Sequence, residues 1–127
     1  MKTLEIRRHS IRKQGGGSQL SQAGVDAARR LGATLGPFAR VVATVAPRTR
    51  ETAIAMGFAV DEELVTLISD DELYPEAEAA RWWERDTPFA SIAALVATRG
   101  ATWRYANALA AAWRDILTSL PDGAAAL

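Results

Sequence analysis

The sequence predicts an α/β fold, a three-layer sandwich in which helices flank a mainly parallel central sheet. Three observations lead there. Short segments of strand character recur at residues 3–7, 40–45 and 64–68. Segments of helical period separate them, and a strand–helix–strand order implies parallel pairing rather than hairpins. The chain has 127 residues, 49% of them apolar and 24% charged, which suits one domain (residues 1–127) around a single core.

The elements follow in order. In residues 3–7 Leu4 and Ile6 alternate with polar neighbours, the period of two of a strand. That strand runs into Arg8, His9 and Ser10. Residues 14–18, with three glycines in a row, read as a loop. Ser21 has the side chain of an N-cap, and Val25, Ala28, Leu31 and Leu35 then fall on one helical face. Gly36 and Pro37 are expected to end that helix.

Residues 40–45 form a β-branched run of strand length. Pro47 suits a helix start, and residues 48–57 read as a short helix with Thr52, Ala53 and Met56 toward the core. A third strand is expected at 64–68, and loop or helix start at 69–80. Two helices are expected at 88–98 and 103–119, the second with Tyr105, Leu109, Trp113, Ile116 and Leu117 as its core stripe. Residues 121–123 make a turn. Residues 124–127 read as the opening of a fourth strand, so the sheet is expected to lack its C-terminal strand or strands.

Composition narrows the function. Fifteen basic and fifteen acidic side chains cancel, so no net field draws the chain to nucleic acid or an anionic membrane. No apolar run approaches the ~20 residues of a membrane span, and residues 1–10 are too charged for a signal peptide. A cytoplasmic protein is the default expectation. The absence of cysteine removes disulfides and thiolate metal sites, and no metal or other cofactor is expected.

Charge is uneven along the chain. Lys2, Arg7, Arg8, Arg12 and Lys13 crowd the first 13 residues against Glu5 alone. Residues 61–78 carry eight acids and no base. These are either solvated faces or an anion site with a carboxylic acid beside it.

Parallel sheets bind ligands at the carboxyl ends of their strands. The loops after Ile6 and Val45 should therefore meet at one edge, each with an arginine, Arg8 and Arg48. Arginine offers a planar fork that grips two oxygens of a phosphoryl dianion. His9, the single histidine, could attack phosphorus between them, and a carboxyl group would protonate the leaving oxygen. On residue type alone His9 could equally be a structural hydrogen-bonding residue.

Residues 4–10, LEIRRHS, resemble the Leu-x-x-Arg-His-Gly signature of the histidine phosphatase superfamily. That superfamily includes the cofactor-dependent phosphoglycerate mutases and the small SixA-type phosphohistidine phosphatases. Residues 20–24 resemble its Leu-Thr-x-x-Gly helix start, and residues 44–53 are similar to its Ser-x-x-x-Arg-Ala-x-x-Thr-Ala segment. The three motifs stand in family order. The resemblance implies His9 as nucleophile, Arg8 and Arg48 as phosphate-pocket arginines, and Ser10 and Arg12 as substrate contacts. For Arg12 a solvated surface role is the alternative.

The chain departs from the pattern in four places. Ser10 replaces a glycine, and Thr44 replaces a serine. The general acid has no clean match; Glu72 is preferred to Glu76. The family also completes its pocket with a second histidine on a later strand, and this sequence has none. The expectation is therefore a fragment ending before that strand, or a natural short protein lacking the residue.

The resemblance thus implies a phosphatase-type hydrolase acting on a phosphomonoester or phosphohistidine through a phosphohistidine intermediate on His9. Phosphatase is preferred to mutase because nothing specifies a phosphoglycerate site. The alternative is a catalytically inactive phosphate- or phosphoprotein-binding domain. The expected partner is a small phosphorylated substrate or a phosphoprotein, with no nucleic acid and no membrane. An open sheet edge would also favour a homodimer. Trp82 and Trp83 are adjacent and cannot share one helical face, so one of them either lines the pocket mouth or covers a partner, or both are partly buried.

Overall fold

The computed structural model describes residues 1–65, 72–81 and 88–127. It is an α/β protein with five helices and a small parallel sheet among the described residues. The chain divides into two compact units, one of residues 1–68 and 114–127, the other of residues 69–113.

The first unit holds the sheet. Strand β1 (Thr3–Leu4) pairs in parallel with β4 (Ala125–Ala126), and β2 (Val42–Thr44) pairs in parallel with β3 (Glu62–Leu64). Backbone bonds join the two ladders. Ala39 N–H reaches the Ala125 carbonyl at 2.7 Å, Leu127 N–H reaches Arg40 at 3.0 Å, and Val42 N–H reaches Leu127 at 2.8 Å. The residues expected to open a fourth strand therefore bond on both sides, between β1 and β2, and do not form a border of the sheet. Ala126 is fully buried there and packs with Ile116 and Leu120, against which Leu4, Val42 and Leu64 close the core.

The strands are shorter than the sequence suggests. Strand β1 is two residues long, and Ile6, which the sequence places in the strand in alternation with Leu4, lies beyond it and is 56% exposed. Glu5 N–H makes the last bond of that ladder, to Ala126, and Arg7 then folds back onto the Glu5 carboxylate. Strand β3 lies at Glu62–Leu64, two residues before the expected start; residues 66–68 of the expected strand lie outside the described residues.

Helix α1 (Gln22–Gly32) begins as expected, with the Ser21 hydroxyl accepting Gly24 N–H at 3.0 Å. It ends four residues before Gly36. The Leu31 carbonyl is taken by both the N–H and the hydroxyl of Thr34, which closes the last turn. Helix α2 (Pro47–Ala55) has Pro47 in its first turn, where a missing N–H costs nothing. Thr52, Ala53 and Met56 are buried, as their spacing predicts.

The second unit contains α3 (Leu73–Ala80), α4 (Pro88–Ala97) and most of α5 (Ala101–Ser119). The Glu76 carboxylate caps α5, accepting Ala101 N–H at 3.0 Å, Thr102 N–H at 2.6 Å and the Thr102 hydroxyl. These bonds hold its carboxyl group below the ordinary value of 4.5, the Thr102 side chain acting most strongly. Trp103 lies under the Arg99 guanidinium at 5.9 Å. Trp82 and Trp83 lie outside the described residues. No helix among the described residues is long and apolar enough to cross a membrane.

Candidate functional site

The site candidates of the first unit lie on three segments: the loop after β1, the loop of residues 11–21 before α1, and the first turns of α2. Parallel pairing sends β1 and β2 the same way, so their following loops meet. The contact is direct. Ser10 N–H donates to the Thr52 hydroxyl at 3.0 Å, and that hydroxyl donates to the Arg48 carbonyl at 2.7 Å. Thr52 is only 5% exposed, so both bonds are shielded from water.

His9 is half-buried, with its Nδ1 2.8 Å from the Ser10 carbonyl. A carbonyl only accepts, so Nδ1 carries the proton in this arrangement. When the ring is neutral, the lone pair is then on the other nitrogen, Nε2. That is the protonation pattern a nucleophilic or metal-binding imidazole requires. No cluster of three metal-ligating side chains accompanies it among the described residues.

Ser10 is tied down twice. Besides its N–H bond, its hydroxyl donates to the Gly24 carbonyl at 2.8 Å. The Ser10 hydroxyl therefore anchors the His9 loop to α1, and its proton is committed there.

The fork of Arg48 is half-buried. Its Nη1 donates to the Ser18 hydroxyl at 2.8 Å, while its Nε is buried without a partner among the described residues. A buried unpaired guanidinium N–H is costly, and such groups concentrate where a ligand completes the set. Arg8 is exposed and, among the described residues, makes no hydrogen bond or ion pair. Arg12 is also exposed; its backbone bridges antiparallel to Leu20.

The acidic run behaves mostly as structure. Asp61 accepts Val41 N–H at 2.8 Å, Glu62 pairs with Arg40, and Glu63 pairs with Arg50 at 3.2 Å. Glu72 belongs to the second unit and pairs there with Arg104. Asp70 and Asp71 lie outside the described residues. Among the described residues the run leaves Arg8 and Arg48 unpaired. Glu76 is committed to capping α5, and a lowered pKa is the opposite of what a general acid needs.

Sequence reasoning passed over Ser18, and it read Thr52 as a core residue within the 44–53 segment without giving it a role in the site. It also gave Glu51 no role, though the Glu51 carboxylate accepts Leu20 N–H at 2.6 Å. The available signal was helical spacing: Arg48, Glu51 and Thr52 stand at intervals of three and four, so one face of α2 presents all three.

The chain matches no protein-family profile, no curated protein and no solved structure. The geometry alone therefore describes the site: an imidazole whose Nε2 has no partner among the described residues and a half-committed arginine, with the His9 loop and the Arg48 backbone joined through the buried Thr52 hydroxyl.

Proposed function

We propose that the first unit is a phosphate-handling site of the histidine phosphatase type, and that it hydrolyses a phosphomonoester or phosphohistidine through His9. The observation that carries this reading is the Ser10–Thr52–Arg48 connection, which ties the His9 loop to the arginine helix. The same reading carries the three-layer arrangement of helices around the sheet.

The chemistry follows from the groups. Nε2 of His9 attacks phosphorus in line; the new P–N bond forms as the bond from phosphorus to the leaving group breaks, P–O in a phosphomonoester and P–N in a phosphohistidine. Arg48 and Arg8 offset charge on the equatorial oxygens. The leaving group takes up one proton from a general acid or from water; Glu72, the residue preferred from the sequence for that role, belongs to the second unit and is paired with Arg104. Water then attacks the phosphohistidine, releasing inorganic phosphate and restoring the imidazole.

The second reading is a phosphate-binding domain without turnover, favoured by the presence of a single histidine. One experiment separates the two. Turnover of p-nitrophenyl phosphate is compared between the protein and His9→Ala, and the melting temperature of each is followed with added phosphate. Turnover lost in His9→Ala supports the enzyme. A phosphate-dependent rise in melting temperature without turnover supports the binding domain. Equal turnover in both proteins rejects His9 as nucleophile.

A further inference from the structure

We propose that Ser18 is a positioning residue for Arg48: its neutral hydroxyl fixes the guanidinium fork without discharging it, leaving the fork's charge for a phosphoryl dianion. The inference rests on the phosphate-site reading above and deepens it.

Ser18 ends the triglycine loop. Gly15, Gly16 and Gly17 have φ of 84°, 119° and 79°, a run that residues with a Cβ rarely adopt. A Cβ on Gly17 would also lie 2.6 Å from the Gln19 side-chain oxygen. The loop is braced below these glycines. Lys13 N–H bonds the Gln19 carbonyl at 3.1 Å, and Ser21 N–H bonds the Ile11 carbonyl at 2.9 Å. The returning leg is pinned to α2, where Glu51 takes Leu20 N–H at 2.6 Å. Three residues earlier on the same helix, Arg48 reaches Ser18 at 2.8 Å. One face of α2 therefore grips the loop at two points.

The identity of the partner matters. A carboxylate on Nη1 would orient the arginine but would also compete with an anionic ligand for its charge. Glu51 stands at the spacing for such a pair, yet it is bonded to a backbone N–H. The hydroxyl of Ser18 orients and does not neutralise. An arginine held before the ligand arrives also loses less side-chain freedom on binding.

The test is the affinity for inorganic phosphate, measured by calorimetry on the full chain and on Ser18→Ala, Ser18→Thr and Ser18→Asp. Ser18→Ala is expected to weaken phosphate binding about tenfold, the scale of one hydrogen bond to a charged group, with the melting temperature in phosphate-free buffer unchanged. Ser18→Thr keeps the hydroxyl and restores binding. Ser18→Asp keeps the contact and loses binding, because its charge satisfies Arg48. Phosphate binding by Ser18→Ala equal to that of the parent protein overturns the Ser18 role alone. So does equal loss in Ser18→Ala and Ser18→Thr. No phosphate binding by the parent protein overturns the phosphate-site reading and the Ser18 role together.

Discussion

The backbone N–H of Ser10 and the hydroxyl of Thr52 meet at 3.0 Å, 42 positions apart in sequence, and the same hydroxyl donates to the Arg48 carbonyl. One oxygen thus serves the loop of His9 and the helix of Arg48. Replacing Thr52 with valine keeps the shape and removes both bonds. Ser10 N–H would then lose its acceptor in a buried place, a cost of about 1–3 kcal/mol. Urea unfolding should show that loss for Thr52→Val, with Thr52→Ser recovering most of it. A Thr52→Val protein as stable as the parent would mean that the loop is held by its other anchor, the Ser10–Gly24 bond.

Arg48 should behave as a ligand-binding residue in a stability measurement. A structural arginine destabilises the fold when removed. Arg48 has a buried Nε with no partner, so its removal also relieves a desolvation cost of roughly 1–3 kcal/mol. Arg48→Met, which keeps the apolar stem, is expected to melt no lower than the parent in phosphate-free buffer. The rise in melting temperature on adding phosphate should disappear in the variant. A large drop in the phosphate-free melting temperature would show that Arg48 works mainly as a structural strut.

The helices were legible because their signals are local. The Ser21 cap, Pro47 and the Thr52–Ala53–Met56 stripe depend only on neighbours within a turn or two. The strands were less so, because two or three residues carry too little pattern to mark their own ends. Ile6 alternates correctly with Leu4, yet the ladder stops at Glu5 and leaves Ile6 exposed. The central position of β4 is likewise set by its partners, β1 and residues 39–42, which no local pattern encodes. In the site, His9 and Arg48 stood out by residue type, whereas Ser18 did not. A serine beside three glycines is a common loop composition, and its meaning comes only from the arginine 30 positions away.

Gly24 sets two tendencies against each other. Glycine to alanine inside a helix usually stabilises by about 1 kcal/mol. Here a Cβ would lie 2.1 Å from the Ile11 carbonyl oxygen, a backbone atom that cannot swing aside. The overpacking cost, about 1–3 kcal/mol, should win. Gly24→Ala is therefore expected to lower the urea midpoint and, by pushing residue 11 away, to weaken phosphate binding. Gly32 offers an internal control: its Cβ would lie 2.0 Å from the Met56 carbonyl oxygen, away from the His9 loop. Gly32→Ala should cost stability and leave phosphate affinity nearly intact. Equal effects of the two variants on affinity would remove the link between Gly24 and the site.

Acid should weaken the second unit through Glu76. Its carboxylate accepts two backbone N–H groups and the Thr102 hydroxyl at the start of α5, and these bonds lower its pKa. A lowered folded-state value means that the charged form supports the fold. That support is complete above the unfolded-state value, near 4.5, and is lost as pH falls from there through the folded-state value. Glu76→Gln removes the charge and replaces one acceptor oxygen with a donor that faces other donors. The variant should have a less stable α5 at neutral pH and a flatter stability curve below pH 4.5. Thermal melts followed by far-ultraviolet circular dichroism across that range provide the comparison. Parallel curves for the two proteins would mean that other carboxylates govern the acid transition, and that the Glu76 cap adds nothing that titrates.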